Sequence, residues 1–140
     1  MAEKIFDQNF SGYWLEASIS SFPDKSGVYG VYRCIYNKQI DTVTLIELIY
    51  IGKADNLNNR INKHKDWPIW KGTLKNKEEI CFCYTYVDKL YNERVEAALI
   101  NSNQPRLNIE YKNSFPFDKT TVKCNGPHKF IKRINIVIKH

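Results

Sequence analysis

One hundred and forty residues, 43% hydrophobic and 26% charged, are enough for a single globular domain with a real core and exclude a disordered or fibrous chain. The apolar stretch at residues 45–51 is broken by Glu47, which excludes a membrane span, and Met1-Ala2-Glu3-Lys4 lacks the basic-then-apolar layout of a secretory signal, so a cytoplasmic location is expected. The net charge of +6 permits a polyanionic partner, and residues 109–140 hold +5 of it, seven Lys/Arg against Glu110 and Asp118.

In chain order, residues 4–22 carry scattered aromatics (Phe6, Phe10, Tyr13, Trp14 and Phe22), with a short helix expected across 13–20. The turn cluster Pro23-Asp24-Lys25-Ser26-Gly27 opens a run of β-formers at 28–36. A polar turn at Asn37-Lys38-Gln39 leads to a second run at 42–51, so the two predict a long antiparallel hairpin ended by Gly52. Asp55 is read as the N-cap of a helix over 56–65, with Leu57 and Ile61 as its buried pair. Pro68 and Gly72 bound an expected loop that carries Trp67 and Trp70. A third strand is read at 79–87 and a second helix from a cap at Asp88 to about Asn101, burying Val95, Ala98 and Leu99 and stopped by Pro105. Residues 120–123 and 133–139 are further strand candidates, the latter alternating Ile134, Ile136 and Ile138 with polar neighbours. The order β-β-α-β-α-β predicts an α+β domain, a small mainly antiparallel sheet flanked by helices.

The four cysteines include no CxxC spacing, and Cys81 and Cys83 share one face of a predicted strand, so reduced, packed thiols are expected rather than a zinc site or a disulfide. Chemistry concentrates elsewhere. Tyr50-Ile51-Gly52-Lys53 puts a phenol, a glycine and an ammonium at a strand end, and Arg60 and His64 lie four residues apart on the next helix. Each is commonly structural alone; together they suit a phosphate group. Glu96, set among Val95, Ala97 and Ala98, is a carboxylate at a core margin, costly there unless a cation or metal pairs with it.

Gly27-Val28-Tyr29, Tyr50-Ile51-Gly52, the helical Arg60, Glu96 ahead of Leu99-Ile100, and Pro105-Arg106-Leu107-Asn108 occur in an order similar to that of the GIY-YIG nuclease family. The resemblance spans residues 26–109, leaving 1–25 as an N-terminal extension packed on that core and 110–140 as a basic C-terminal extension with short strands. It implies a DNA endonuclease that hydrolyses phosphodiesters to 5′-phosphate and 3′-hydroxyl ends and depends on Mg²⁺ or Mn²⁺. Glu96 would be the single protein ligand of the metal, Arg60 the clamp on the phosphate and Tyr29 the general base or proton relay. Lys53 and His64 would assist Tyr29, Tyr50 would orient water or phosphate, and Asn108 would brace the site.

Two positions admit a second reading. Gly30-Val31-Tyr32 repeats the first motif, and because Tyr29 and Tyr32 face opposite sides of a strand, one alone can enter the site; Tyr29 follows the Ser-Gly turn and is preferred. Glu93 precedes Glu96 by one turn, but the spacing to Leu99-Ile100 favours Glu96. Outside the site, Trp67 and Trp70 are candidates for contact with bases, and Lys129, Lys132 and Arg133 for contact with phosphates. The expected partner is DNA, handled by a monomer or homodimer without a membrane. A structure-selective or single-strand-directed enzyme of repair or mobile-DNA processing leads a minimal dimeric restriction enzyme and a non-catalytic nucleic-acid-binding module. An added interaction surface on the Ile134/Ile136/Ile138 strand is a further possibility.

Overall fold

The computed structural model describes residues 2–140, which form two sheets and three α-helices. Strands β1 (Lys4–Asn9) and β2 (Ser11–Leu15) are followed by a 3₁₀ turn, Glu16–Ser21. The hairpin β3 (Gly27–Asn37) and β4 (Thr42–Ala54) leads into α1 (Leu57–Asn62) and α2 (Trp67–Gly72). Then come β5 (Glu79–Tyr86), α3 (Asn92–Asn103), β6 (Thr120–Asn125) and β7 (Ile134–Val137). Four strands make an antiparallel sheet in the order β2-β5-β3-β4, and β1-β6-β7 make a second, with β1 parallel to β6. The domain is α+β with a mainly antiparallel sheet flanked by helices, as the sequence predicts. No helix among the described residues is long and apolar enough to cross a membrane.

Alternation along the central strand β3 divides the core in two. Tyr29 and Val31 point to one face, where Ile49, Leu57, Ile61, Trp70 and Phe82 close a cluster under α1 and α2. Val28, Tyr32 and Cys34 point to the other, against Val95, Ala98 and Leu99 of α3 and Val122 of the second sheet. All four cysteines are buried and free.

Five local expectations are corrected. The segment read as a 13–20 helix divides: residues 13–15 finish strand β2, and a 3₁₀ rather than an α-helix follows over Glu16–Ser21. The N-cap of α1 is Asn56, whose side chain accepts the Asn59 N–H at 2.9 Å; Asp55 lies one residue earlier. The helix stops at Asn62, so His64 is not on it. The tryptophan segment is helix α2, because Pro68 occupies its first turn, where a missing N–H costs nothing, instead of bounding a loop. Asp88 accepts the Leu90 N–H in a turn ahead of α3 rather than capping it. Strand β7 alternates as read, but with Asn135 and Val137 inward and Ile134, Ile136 and Ile138 exposed. The buried Asn135 amide donates to the carbonyls of Val122 and Lys132, and its oxygen accepts from Ser102 and Asn103, which offsets its desolvation.

Candidate active site

A cleft of about 970 Å³ opens where the C-terminal end of β4 meets α1, α2, α3 and the segment after α3. Its lining includes Tyr50, Lys53, Arg60, Glu96 and Asn108, residues separated by up to 58 positions in the chain. Register explains the two tyrosines. Tyr29 pairs with Gly52 and Val31 with Tyr50, so Tyr29 and Tyr50 share a face, their ring centroids 6.3 Å apart. Tyr29 is fully buried, its ring lying over Gly52, and its hydroxyl has no hydrogen-bond partner of ordinary geometry among the described residues. Burial raises the pKa of this phenol and the neighbouring Tyr50 raises it further, while the adjacent Arg60 guanidinium opposes them.

Tyr32 goes the other way: its hydroxyl donates to the Lys129 carbonyl at 2.6 Å on the opposite face of the sheet. The two acids of α3 separate similarly. The Tyr111 hydroxyl donates to Glu93, which does not line the cleft, whereas Glu96 does. Burial lifts the Glu96 carboxyl to about 7, against the pull of the Lys53 ammonium and backbone N–H. Glu110 stands on the cleft wall as a second carboxylate and adds to that rise. No group of three or more His, Cys, Asp and Glu among the described residues is disposed to hold a metal.

The floor of the cleft is fixed from one side by Asn108. Its oxygen accepts the Ile51 N–H at 2.9 Å and its amide donates to the Ile51 carbonyl at 2.9 Å, closing the exposed edge of β4 as a further strand would. The Leu107 N–H donates to the Ile49 carbonyl at 3.0 Å, and Arg106 forks onto Glu47. From the other side, the buried Asn92 amide donates to Ser26, Asp55 and the Ala54 carbonyl, tying α3 to the ends of β3 and β4. Nothing in the sequence marks Asn92, since an asparagine in a first helical turn is ordinary.

His64 is not a wall of this cleft. Its ring is buried 4.5 Å from that of Trp70, and its Nδ1 accepts the Asp66 N–H at 3.0 Å, which leaves the proton on Nε2. Desolvation, with Arg60 nearby, lowers its pKa to about 4, so the ring is neutral at pH 7. Trp70 is fully buried, showing only part of its ring at the back of the cleft, and half-buried Trp67 donates to the Ile61 carbonyl at 2.7 Å. Lys129, Lys132 and Arg133 do not line the cleft; Lys129 sits behind the sheet beside Tyr32, and the Lys132 ammonium donates to Ser102 at the end of α3. Lys65, Asp66, Ile69 and Ile109 complete much of the rim and were not singled out by the sequence.

The chain is similar to a segment of UvrABC system protein C. Identity is 30% over 117 residues with the protein of Rickettsia rickettsii (strain Sheila Smith), covering 81% of this chain and 17% of the relative. It is 31% with that of Rickettsia bellii (strain RML369-C) and 32% with that of Rickettsia canadensis (strain McKiel), with the same coverage. The chain thus spans about a sixth of the length of the curated relatives it matches. No family model matches the chain. No solved structure matches it significantly.

Proposed function

We propose that the chain is a metal-dependent DNA endonuclease of the GIY-YIG type, with residues 26–109 as its core, acting on structurally irregular or single-stranded DNA. The observation that carries this reading is the gathering of Tyr50, Lys53, Arg60 and Glu96 on one cleft, with Tyr29 directly beneath it. The similarity to UvrABC system protein C supports DNA as the substrate class and repair as the setting.

Glu96 is a suitable ligand for Mg²⁺ or Mn²⁺: a half-buried carboxylate on the cleft wall, with Glu110 near enough to raise its pKa. A hard cation that keeps most of its waters needs one or two carboxylates rather than a cage, so a lone protein ligand fits it. When bound, the metal supplies Lewis-acid stabilisation of the phosphate and of the departing 3′ oxygen.

The remaining roles follow from the side chains. Arg60 and Lys53 hold the non-bridging phosphate oxygens, Arg60 as a permanently charged planar fork and Lys53 as a compact charge opposite Glu96. With its pKa raised, Tyr29 is neutral at pH 7 and does not stand as a phenolate, so it would take the attacking water's proton as it passes its own to a non-bridging oxygen of the scissile phosphate. Its hydroxyl, which makes no hydrogen bond of ordinary geometry among the described residues, gains a partner in that water. Tyr50, half-buried at the cleft, orients the water or the phosphate. Neutral His64, with ring centroids 6.4 Å from Tyr29 and 5.9 Å from Tyr50, positions both phenols by packing. Asn108 keeps the Tyr50–Gly52 backbone in place.

Nicking of supercoiled plasmid tests the reading. Wild type is expected to convert it to open circles in Mg²⁺ or Mn²⁺ and to stop in chelator, while Glu96→Ala binds DNA without cutting. Absence of cutting by wild type in either metal, or undiminished cutting by Glu96→Ala, would overturn it.

A further inference from the structure

Helix α2 presents an inversion of the usual assignment of apolar side chains. Its large aromatics turn inward, Trp70 completely, while Ile69 lines the cleft and is 56% exposed. Across the cleft, Ile109 is 89% exposed. Single exposed isoleucines are common and need no explanation. These two line the same cleft, one from α2 and one from the segment after α3. The backbone carrying Ile109 is held immediately before it by the Leu107 and Asn108 bonds to β4, so the side chain is presented on a rigid support with almost no packing. A β-branched side chain keeps few χ1 rotamers, which suits it to wedge against a flat surface.

The same cleft holds cations. Lys53, Arg60 and Lys65 line it beside the acids Asp66, Glu96 and Glu110, and none of the three forms an ion pair within 4 Å among the described residues. Asp55, also in the lining, is already engaged by Asn92 and Lys89. An occupant that satisfies both layers carries phosphate at one edge and an apolar plane at the other, as a nucleotide strand does. In paired duplex the base faces are covered by their neighbours, and uncovering one costs a few kcal/mol; in an unpaired strand most of that cost is absent.

We propose that Ile69 and Ile109 form an apolar gate that seats unpaired bases beside the bound phosphate and makes this cleft selective for DNA whose pairing is disrupted. The proposal rests on the nuclease reading only in taking the cleft as the place where the strand lies. It assigns to these isoleucines the contact with bases that the sequence suggested for the tryptophans.

The test uses three labelled substrates sharing one scissile strand: the fully paired duplex, the same duplex with an internal unpaired bubble, and the strand alone. Wild type is expected to cleave the bubble with kcat/KM at least about tenfold above the duplex, a factor equivalent to roughly 1.4 kcal/mol. Ile69→Ser/Ile109→Ser is expected to lose that preference, its bubble-to-duplex ratio of kcat/KM falling toward one, with the wild-type melting temperature retained because both side chains are exposed. Ile69→Leu/Ile109→Leu is expected to keep it. Where wild type cleaves, a cleavage preference absent from it, surviving in the serine variant or lost in the leucine variant overturns the proposal. Fluorescence anisotropy on the same substrates, with the isoleucines intact or replaced by serine in a Glu96→Ala background, separates the two readings. Binding preference that needs the isoleucines, without cleavage by wild type, sinks the nuclease reading and sustains the gate. Cleavage whose preference ignores the isoleucines does the reverse, and failure of both assays removes both.

Discussion

The ring of Tyr29 occupies the space where residue 52 would carry a side chain: a Cβ built on Gly52 would stand 2.4 Å from the Tyr29 hydroxyl oxygen and 2.5 Å from Cζ. The two residues are register partners on β3 and β4, so the phenol crosses its own neighbour on the way to the cleft. This is the physical reason for a glycine in Tyr50-Ile51-Gly52.

Gly52→Ala is therefore expected to act on both stability and activity. The methyl must displace a fully buried ring, an overpacking that costs about 1–3 kcal/mol. Urea denaturation would measure the loss, and plasmid nicking would fall with it because the phenol leaves its position. Tyr29→Phe separates the two effects. It removes a buried hydroxyl that has no hydrogen bond of ordinary geometry among the described residues and only the Arg60 guanidinium close by, so stability changes little, while nicking drops about 100-fold or more if the phenol relays a proton. Undiminished nicking by Tyr29→Phe would remove that role.

Glu96 should oppose function to stability in the metal-free protein. Its carboxyl titrates near 7 when folded, against an ordinary value of 4.5. Between those pH values the folded chain holds a proton that the unfolded chain has released, so stability falls as pH rises through this window and the cost is complete above 7. Glu96→Gln is expected to stabilise the metal-free protein by about 1–3 kcal/mol at pH 8 and by nothing at pH 4. The same substitution abolishes cleavage. Metal activation of wild type strengthens with rising pH, since the cation competes with that proton. Chelator-treated melts of both proteins across pH would show the crossing, and parallel curves would contradict it.

Acid sensitivity should come from the far end of the hairpin. Arg33 donates to Glu78 through two nitrogens, at 2.8 and 2.9 Å, and to Glu47 at 2.6 Å, while Arg106 forks onto Glu47. Arg33 holds the Glu78 carboxyl down at about 2, and Arg106, then Arg33, lower that of Glu47. A carboxyl depressed in the folded state lends stability above its unfolded value and loses it as pH falls toward the folded one. Wild type should therefore lose stability from pH 4.5 to 2. Glu78→Gln should flatten that slope, and an unchanged slope would place the acid-labile group elsewhere.

Much of the architecture was legible because its periods are strong. The β3–β4 hairpin, β5 and α3 are long patterned runs, and their ends were misplaced by only a few residues. Strands β1 and β2 escaped because they are short and their aromatics show no clean alternation. Helix α2 escaped because Pro68 reads equally as a breaker or as a first-turn residue, and only packing of Trp70 on Phe82 and His64 selects the second. In β7 the alternation was legible but not its facing: Asn135 turns inward because Ser102, Asn103 and Val122, from elsewhere in the chain, supply buried partners.

Local spacing drew attention to Tyr50, Lys53, Arg60 and Glu96, because strand ends and helical turns are short-range properties of the backbone, and the resemblance to the GIY-YIG family added Tyr29 and Asn108. Which of two tyrosines or two glutamates faces the cleft, whether His64 meets solvent, and which apolar residues guard the mouth were decided by contacts between distant segments. Those contacts fix burial, and burial governs both the charge a side chain can carry and the surface it can offer to a ligand.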